Sequence, residues 1–180
     1  YASLTLRARR DDGLVVYLNG SEVVRDNMPA GAITHTTPAS GGAADNGVTF
    51  LAFTVPASAL VAGANTIAAE IHQSGATSSD IVFDLELSGS TAGGPVYLIG
   101  AGEDWKFLDN GSNQGTAWRA GAFNDSAWSA GHGPLGYPFG SGSAWPAGPG
   151  ILGFGDGVES TALRLGTEAQ RLLPGALRVI

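Results

Sequence analysis

The sequence predicts an all-β chain folded as an antiparallel sandwich, and three observations carry that reading. Glycine fills 28 positions and proline nine, an excess that marks many turns and leaves little room for helices. A long helix needs sustained 3.6-residue periodicity in residues such as Ala, Leu, Glu and Lys, and this chain has almost none. In its place, short apolar stretches alternate with period two and recur between turn signals, as the strands of a sandwich do.

Each element follows from its own residues. From Tyr1 to Arg9, Leu4 and Leu6 face away from Thr5 and Arg7, the pattern of a half-buried strand. Arg10-Asp11-Asp12-Gly13 reads as a turn, with the paired aspartates as turn formers. Leu14 to Leu18 and Glu22 to Arg25 flank Asn19-Gly20, a pair that tolerates the positive φ of a two-residue hairpin turn. The Gly-, Ala- and Ser-rich stretch 36–47 is a loop and Val48 to Val55 a strand. Pro56 then opens one helical turn to Leu60. Thr66 to His72 and Ile81 to Leu87 are further strands, the second with Phe83 and Leu85 on one face and Asp84 and Glu86 on the other.

A small, Gly-rich stretch, 89–96, is the best candidate for a linker between an N-terminal half, 1–88, and a C-terminal half, 97–180. All four tryptophans lie in the second half, at Trp105, Trp118, Trp128 and Trp145. Its strands are harder to see: Val96 to Ile99, Trp105 to Leu108 and Leu177 to Ile180 are expected. Residues 131–157 read as long ordered loop, and Trp118 and Trp128 as core flanking a turn at Phe123.

Composition narrows the function. Nine basic against sixteen acidic residues leave a net charge of −7, so the basic surface that nucleic acid requires is missing. There is no cysteine, which removes disulfides, thiolate metal sites and thiol nucleophiles. No apolar run reaches the roughly 18 residues that span a bilayer. Tyr1 opens directly into a strand pattern, so the sequence reads as a piece of something larger. His35, His72 and His132 are present, yet no serine sits in a nucleophile-elbow motif. His72 lies on a core strand and reads as structural. A non-catalytic module is expected.

Leu-Arg-Ala-Arg-Arg-Asp-Asp-Gly-Leu-Val-Val-Tyr-Leu-Asn-Gly at 6–20, Gly-Ala-Asn-Thr-Ile at 63–67 and Phe-Asp-Leu-Glu-Leu at 83–87 resemble the C-terminal part of a galactose-binding-like jelly roll. Trp105-Lys-Phe-Leu-Asp109, Phe123-Asn-Asp-Ser-Ala-Trp128 and Gly133-Pro-Leu-Gly-Tyr137 resemble its N-terminal part, with Asn124 in place of an Asp. The resemblance implies a jelly-roll sandwich whose two halves occur in reversed order. Either they close on one another as in a circular permutation, or each pairs with a neighbouring domain or another copy of the chain.

The same resemblance implies candidate sites. The polar loop from Asp109 to Trp118 is similar to one that holds a structural Ca²⁺ in such domains. Asp109, Asn113 and Thr116 would be oxygen ligands and Glu86 would complete the shell; Asx turns explain the loop equally without a metal. Tyr137, Phe139 and Trp145 would form an aromatic platform for glycans, or else plug the end of the sandwich. Two functions follow as expectations: a structural, adhesive or assembly role at an extracellular or cell-surface location, or a carbohydrate-binding module that targets a larger secreted hydrolase.

Overall fold

A computed structural model describes residues 1–75, 78, 80–137 and 160–165, of which Tyr137 and 160–165 are described by backbone alone. The all-β antiparallel prediction holds, with no α-helix among the described residues. In chain order the strands are β1 (Leu4–Asp11), β2 (Gly13–Leu18), β3 (Ser21–Asp26), β4 (Leu51–Val55), β5 (Ile67–His72) and β6 (Ile81–Thr91). They continue with β7 (Gly94–Ile99), β8 (Asp104–Leu108), β9 (Ser129–His132), β10 (Leu135–Tyr137) and β11 (Ser160–Leu165). Two 3-10 turns complete the described elements, Ala57–Ala59 after Pro56 and Ala117–Arg119.

Two sheets face each other. In the first, β6 is central: β1 and then β4 lie along one edge, while β7 and β10 share the other. The second runs β3-β2-β5-β11-β8-β9, and every pairing in both is antiparallel. The β2–β3 hairpin turns on Asn19 and Gly20, both at positive φ, with Leu18 opposite Ser21. Asn19 also anchors the turn to the next strand: its Nδ2 donates to Asn65 Oδ1 at 2.8 Å, and its Oδ1 accepts the Thr66 N–H at 2.9 Å.

Residues on either side of 89–96 build the same two sheets. The expected linker is in fact the end of β6, a turn at Ala92-Gly93 and the start of β7. From the second half, β7 and β10 extend the first sheet along β6, and β11 lies between β5 and β8 in the second. Strands β9 and β10 fall at 129–137, where mostly loop was expected, and β11 had no counterpart in the sequence reading. The expected strand at 177–180 lies outside the described residues.

One apolar core fills the space between the sheets. Leu4, Leu6, Phe83, Leu85 and Leu87 from the first sheet meet Leu14, Val16, Ile71 and Trp105 from the second, all of them buried. Phe83 of the first half and Trp105 of the second are both fully buried and meet edge to face, with ring centroids 4.9 Å apart. Because Trp105 spans the seam between the halves, Trp105→Ala is expected to destabilise the fold by about 3–5 kcal/mol. Urea unfolding checks this, and a loss below about 1 kcal/mol would place the seam elsewhere.

Candidate functional site

The second sheet is covered on its outer face as well. On β2 the side chains alternate between two apolar clusters, Leu14, Val16 and Leu18 between the sheets and Val15 and Tyr17 outside them. On β5, Ala69 and Ile71 point inward, whereas Ala68 joins Tyr17 on the outer face. Two loop segments cover that face. One contributes Met28 and Ile33; the other brings Trp118, Phe123 and Trp128. Trp118 meets the Tyr17 ring edge to face at 5.8 Å, and its Nε1 donates to the Gly115 carbonyl at 3.1 Å. The expected burial of Trp118 and Trp128 is observed.

Between these loops a cleft of about 240 Å³ opens onto the sheet. One wall is Ile33-Thr34-His35, the other is the loop Gly111 to Thr116, and Glu70 and Arg119 line the base. Glu70 stands on β5 among apolar neighbours, so its charge needs partners. It has three. The Tyr17 hydroxyl donates to Oε1 at 2.5 Å, Arg119 Nη2 lies 3.2 Å from the same oxygen, and His72 Nε2 lies 3.4 Å from Oε2. Burial alone would raise the Glu70 pKa, but His72, Tyr17 and Arg119 outweigh it and hold the carboxyl below its usual range. Burial, and then the hydrogen bond to Glu70, raises the Tyr17 phenol. The fully buried His72 donates Nδ1–H to the Thr37 carbonyl at 2.8 Å, a structural placement that also ties the covering loop to β5.

Arg119 is held flat. Its guanidinium lies 4.1 Å from the centroid of the Tyr17 ring and 5.4 Å from that of Trp118. The 3-10 turn Ala117–Arg119 sets Trp118 into the apolar cluster and Arg119 beside Glu70. The rest of the wall holds its own shape: Asn110 Oδ1 accepts the Ser112 N–H at 3.0 Å and Asn113 Oδ1 accepts the Gly115 N–H at 2.8 Å.

The four expected calcium ligands are not brought together. Asn113 and Thr116 line the cleft, and Asp109 precedes that wall in the chain. Glu86 is on β6 between the inward-facing Leu85 and Leu87, so it points out from the opposite sheet, where Arg7 Nη1 pairs with it at 2.5 Å. The thickness of the sandwich separates it from the loop. Asn113 Oδ1 is engaged in an Asx turn with the Gly115 N–H. Among the described residues no group of three His, Cys, Asp or Glu side chains is arranged to hold a metal. Of the expected glycan platform, Tyr137 pairs through its backbone with Ile81 in the first sheet. Phe139 and Trp145 lie outside the described residues.

Sequence reasoning missed Glu70, Arg119 and Tyr17. A signal was present: Glu70 interrupts an otherwise apolar strand, Ile-Ala-Ala-Glu-Ile, and a charge within such a run asks for a partner. The identity of that partner was not legible, because Arg119 lies far along the chain.

A second buried polar group sits at the β1–β2 junction. Asp12 is not merely a turn former, since its Oδ1 accepts the Ala43 N–H at 2.8 Å and its Oδ2 the Ser74 N–H at 2.7 Å. These bonds, with one from Asp11, overcome burial and keep the Asp12 pKa low. Asp11 is the converse. Burial, followed by hydrogen bonds and charge repulsion with Asp80 and Asp12, pushes its pKa up to about 9.

No family model, curated protein or solved structure matches this chain.

The Asp11 shift has a consequence for stability. An acid whose folded pKa lies above its unfolded value of 3.8 stabilises the fold fully below that value and loses the contribution as pH rises towards about 9. Asp11→Asn keeps a donor and cannot ionise. Its melting temperature is therefore expected to gain on that of the wild-type chain as pH rises from about 5 to 9. A difference constant across that window would contradict the assignment.

Proposed function

We propose that this chain is a non-catalytic β-sandwich module of an extracellular or cell-surface protein, adhesive in role, which holds a carbohydrate in the cleft over Glu70 and Arg119. The jelly-roll reading of the galactose-binding-like kind belongs to the same proposal. One observation carries it: a concave site on the sheet lined by a carboxylate–guanidinium pair, with hydroxyl and amide side chains along one wall. Sugar hydroxyls donate and accept at once, and this set offers both kinds of partner at close spacing. The site residues stand on or against a doubly buried strand, which supplies the preorganisation that binding a flexible, strongly hydrated ligand demands. Trp118 is buried and therefore supports the base of the site rather than stacking on a sugar face.

An assembly role by strand pairing between copies is the lesser reading. Both sheets draw strands from both halves of one chain, so neither half needs a partner chain to cover its core. The two roles separate in a pair of measurements. Light scattering after gel filtration should give the mass of a single chain; an open series of oligomers would favour assembly. Titration with soluble oligosaccharides, followed by tryptophan fluorescence, should saturate in the wild type. In Arg119→Ala the affinity should fall by about tenfold or more. Equal binding by a folded Arg119→Ala variant would place the ligand elsewhere.

A further inference from the structure

We propose that the cleft selects neutral, hydroxyl-rich glycans against acidic ones, and that Glu70 makes the selection. This inference rests on the carbohydrate reading of the site and adds its specificity.

Arg119 by itself points to an acidic ligand. A guanidinium clamped against aromatic rings presents a fixed fork that suits a carboxylate with two parallel hydrogen bonds. Its Nε is buried and has no hydrogen-bond acceptor in the protein. The surroundings reverse that preference. Glu70 Oε1 already lies 3.2 Å from Arg119 Nη2, and its carboxyl is held ionised by Tyr17, His72 and Arg119. An incoming carboxylate on the Arg119 fork would sit beside this anion in a partly desolvated site, where like charges repel far more strongly than in water.

The remaining walls offer no relief. From Gly111 to Thr116 the loop carries only Gly, Ser, Asn, Gln and Thr. Across the cleft stand Ile33, Thr34 and His35. Apart from Glu70 and Arg119, no Lys, Arg, Asp or Glu among the described residues lines the cleft. The chain as a whole carries −7, which repels anions at longer range. A neutral hydroxyl meets no such penalty. Its oxygen accepts from Arg119 while its proton goes to the carboxylate, so two neighbouring hydroxyls satisfy the pair without adding charge.

The test compares neutral oligosaccharides (glucose-, mannose- and galactose-based) with oligogalacturonate by calorimetry, on the wild-type chain and on Glu70→Gln. The wild type is expected to bind its best neutral ligand at least about tenfold more tightly than oligogalacturonate. Glu70→Gln keeps the shape and removes the charge, so that ratio should shrink or reverse, with near-ultraviolet circular dichroism confirming that the variant is folded. Should the variant not fold, the wild-type comparison decides whether the cleft prefers neutral glycans, and equal binding of the two classes would overturn the proposal. Oligogalacturonate binding as tightly as the neutral sugars, or an unchanged ratio in a folded Glu70→Gln, would overturn the role of Glu70 and leave the carbohydrate reading standing. Binding of neither class would sink the carbohydrate reading itself, and this inference with it.

Discussion

Strand β5 is buried on both faces and still carries a charge, and much of the molecule can be understood as the response to that constraint. A half-buried strand leaves its polar face in water. Here the outer face of β2 and β5 lies beneath two loop segments, so Glu70 has lost most of its hydration. A carboxylate in that position persists only if the protein supplies the charge and hydrogen bonds that water would have given. Tyr17 comes from the neighbouring strand, His72 from the same strand two residues on, and Arg119 from a loop brought over the sheet. Each partner also belongs to the structure that covers the face. His72 ties down the loop at Thr37, and Arg119 follows Trp118, whose ring seals the apolar cluster. Charge satisfaction and loop packing are therefore one arrangement.

That arrangement produces a cleft rather than a closed layer. Trp118 and Trp128 fill the space over Val15 and Ala68, whereas the loop at 111–116 is occupied with its own Asx turns and lines the cleft. Between that loop and Ile33-Thr34-His35, the Glu70–Arg119 pair is left facing an opening. The pair is rigid for structural reasons, and a rigid polar pair at the base of a depression is what recognition of a polar ligand requires.

The two-sheet core joins the halves of the chain in a way that its order in sequence obscures. Strands β1 to β6 form one side of each sheet, with β4 and β3 at the edges, and the later strands are added to them at β6 and β5. The ring contact between Phe83 and Trp105 crosses both the sheets and the halves. Apolar faces that either half alone would expose are thus covered within one chain.

What the sequence by itself determined is the all-β class and the strands of the first half, because period-two alternation and Asn19-Gly20 are local signals that need no distant partner. It also marked Trp118 and Trp128 as core residues flanking a turn at Phe123, and both are buried. Strand β9, Ser-Ala-Gly-His, has no β-forming side chains to announce it; it is a strand because β8 lies beside it. Residues 89–96 look like a linker in composition and become a hairpin because β6 supplies the edge on which β7 pairs. The site was decided by tertiary structure alone. Glu70 and Arg119 are far apart in the chain and meet only when a loop of the second half folds over a sheet of the first. Glu86, beside Asp109 in the resemblance, is carried to the opposite face by the alternation of β6. Local chemistry is written in neighbouring residues, whereas a pairing across the fold depends on which face each strand turns to which layer.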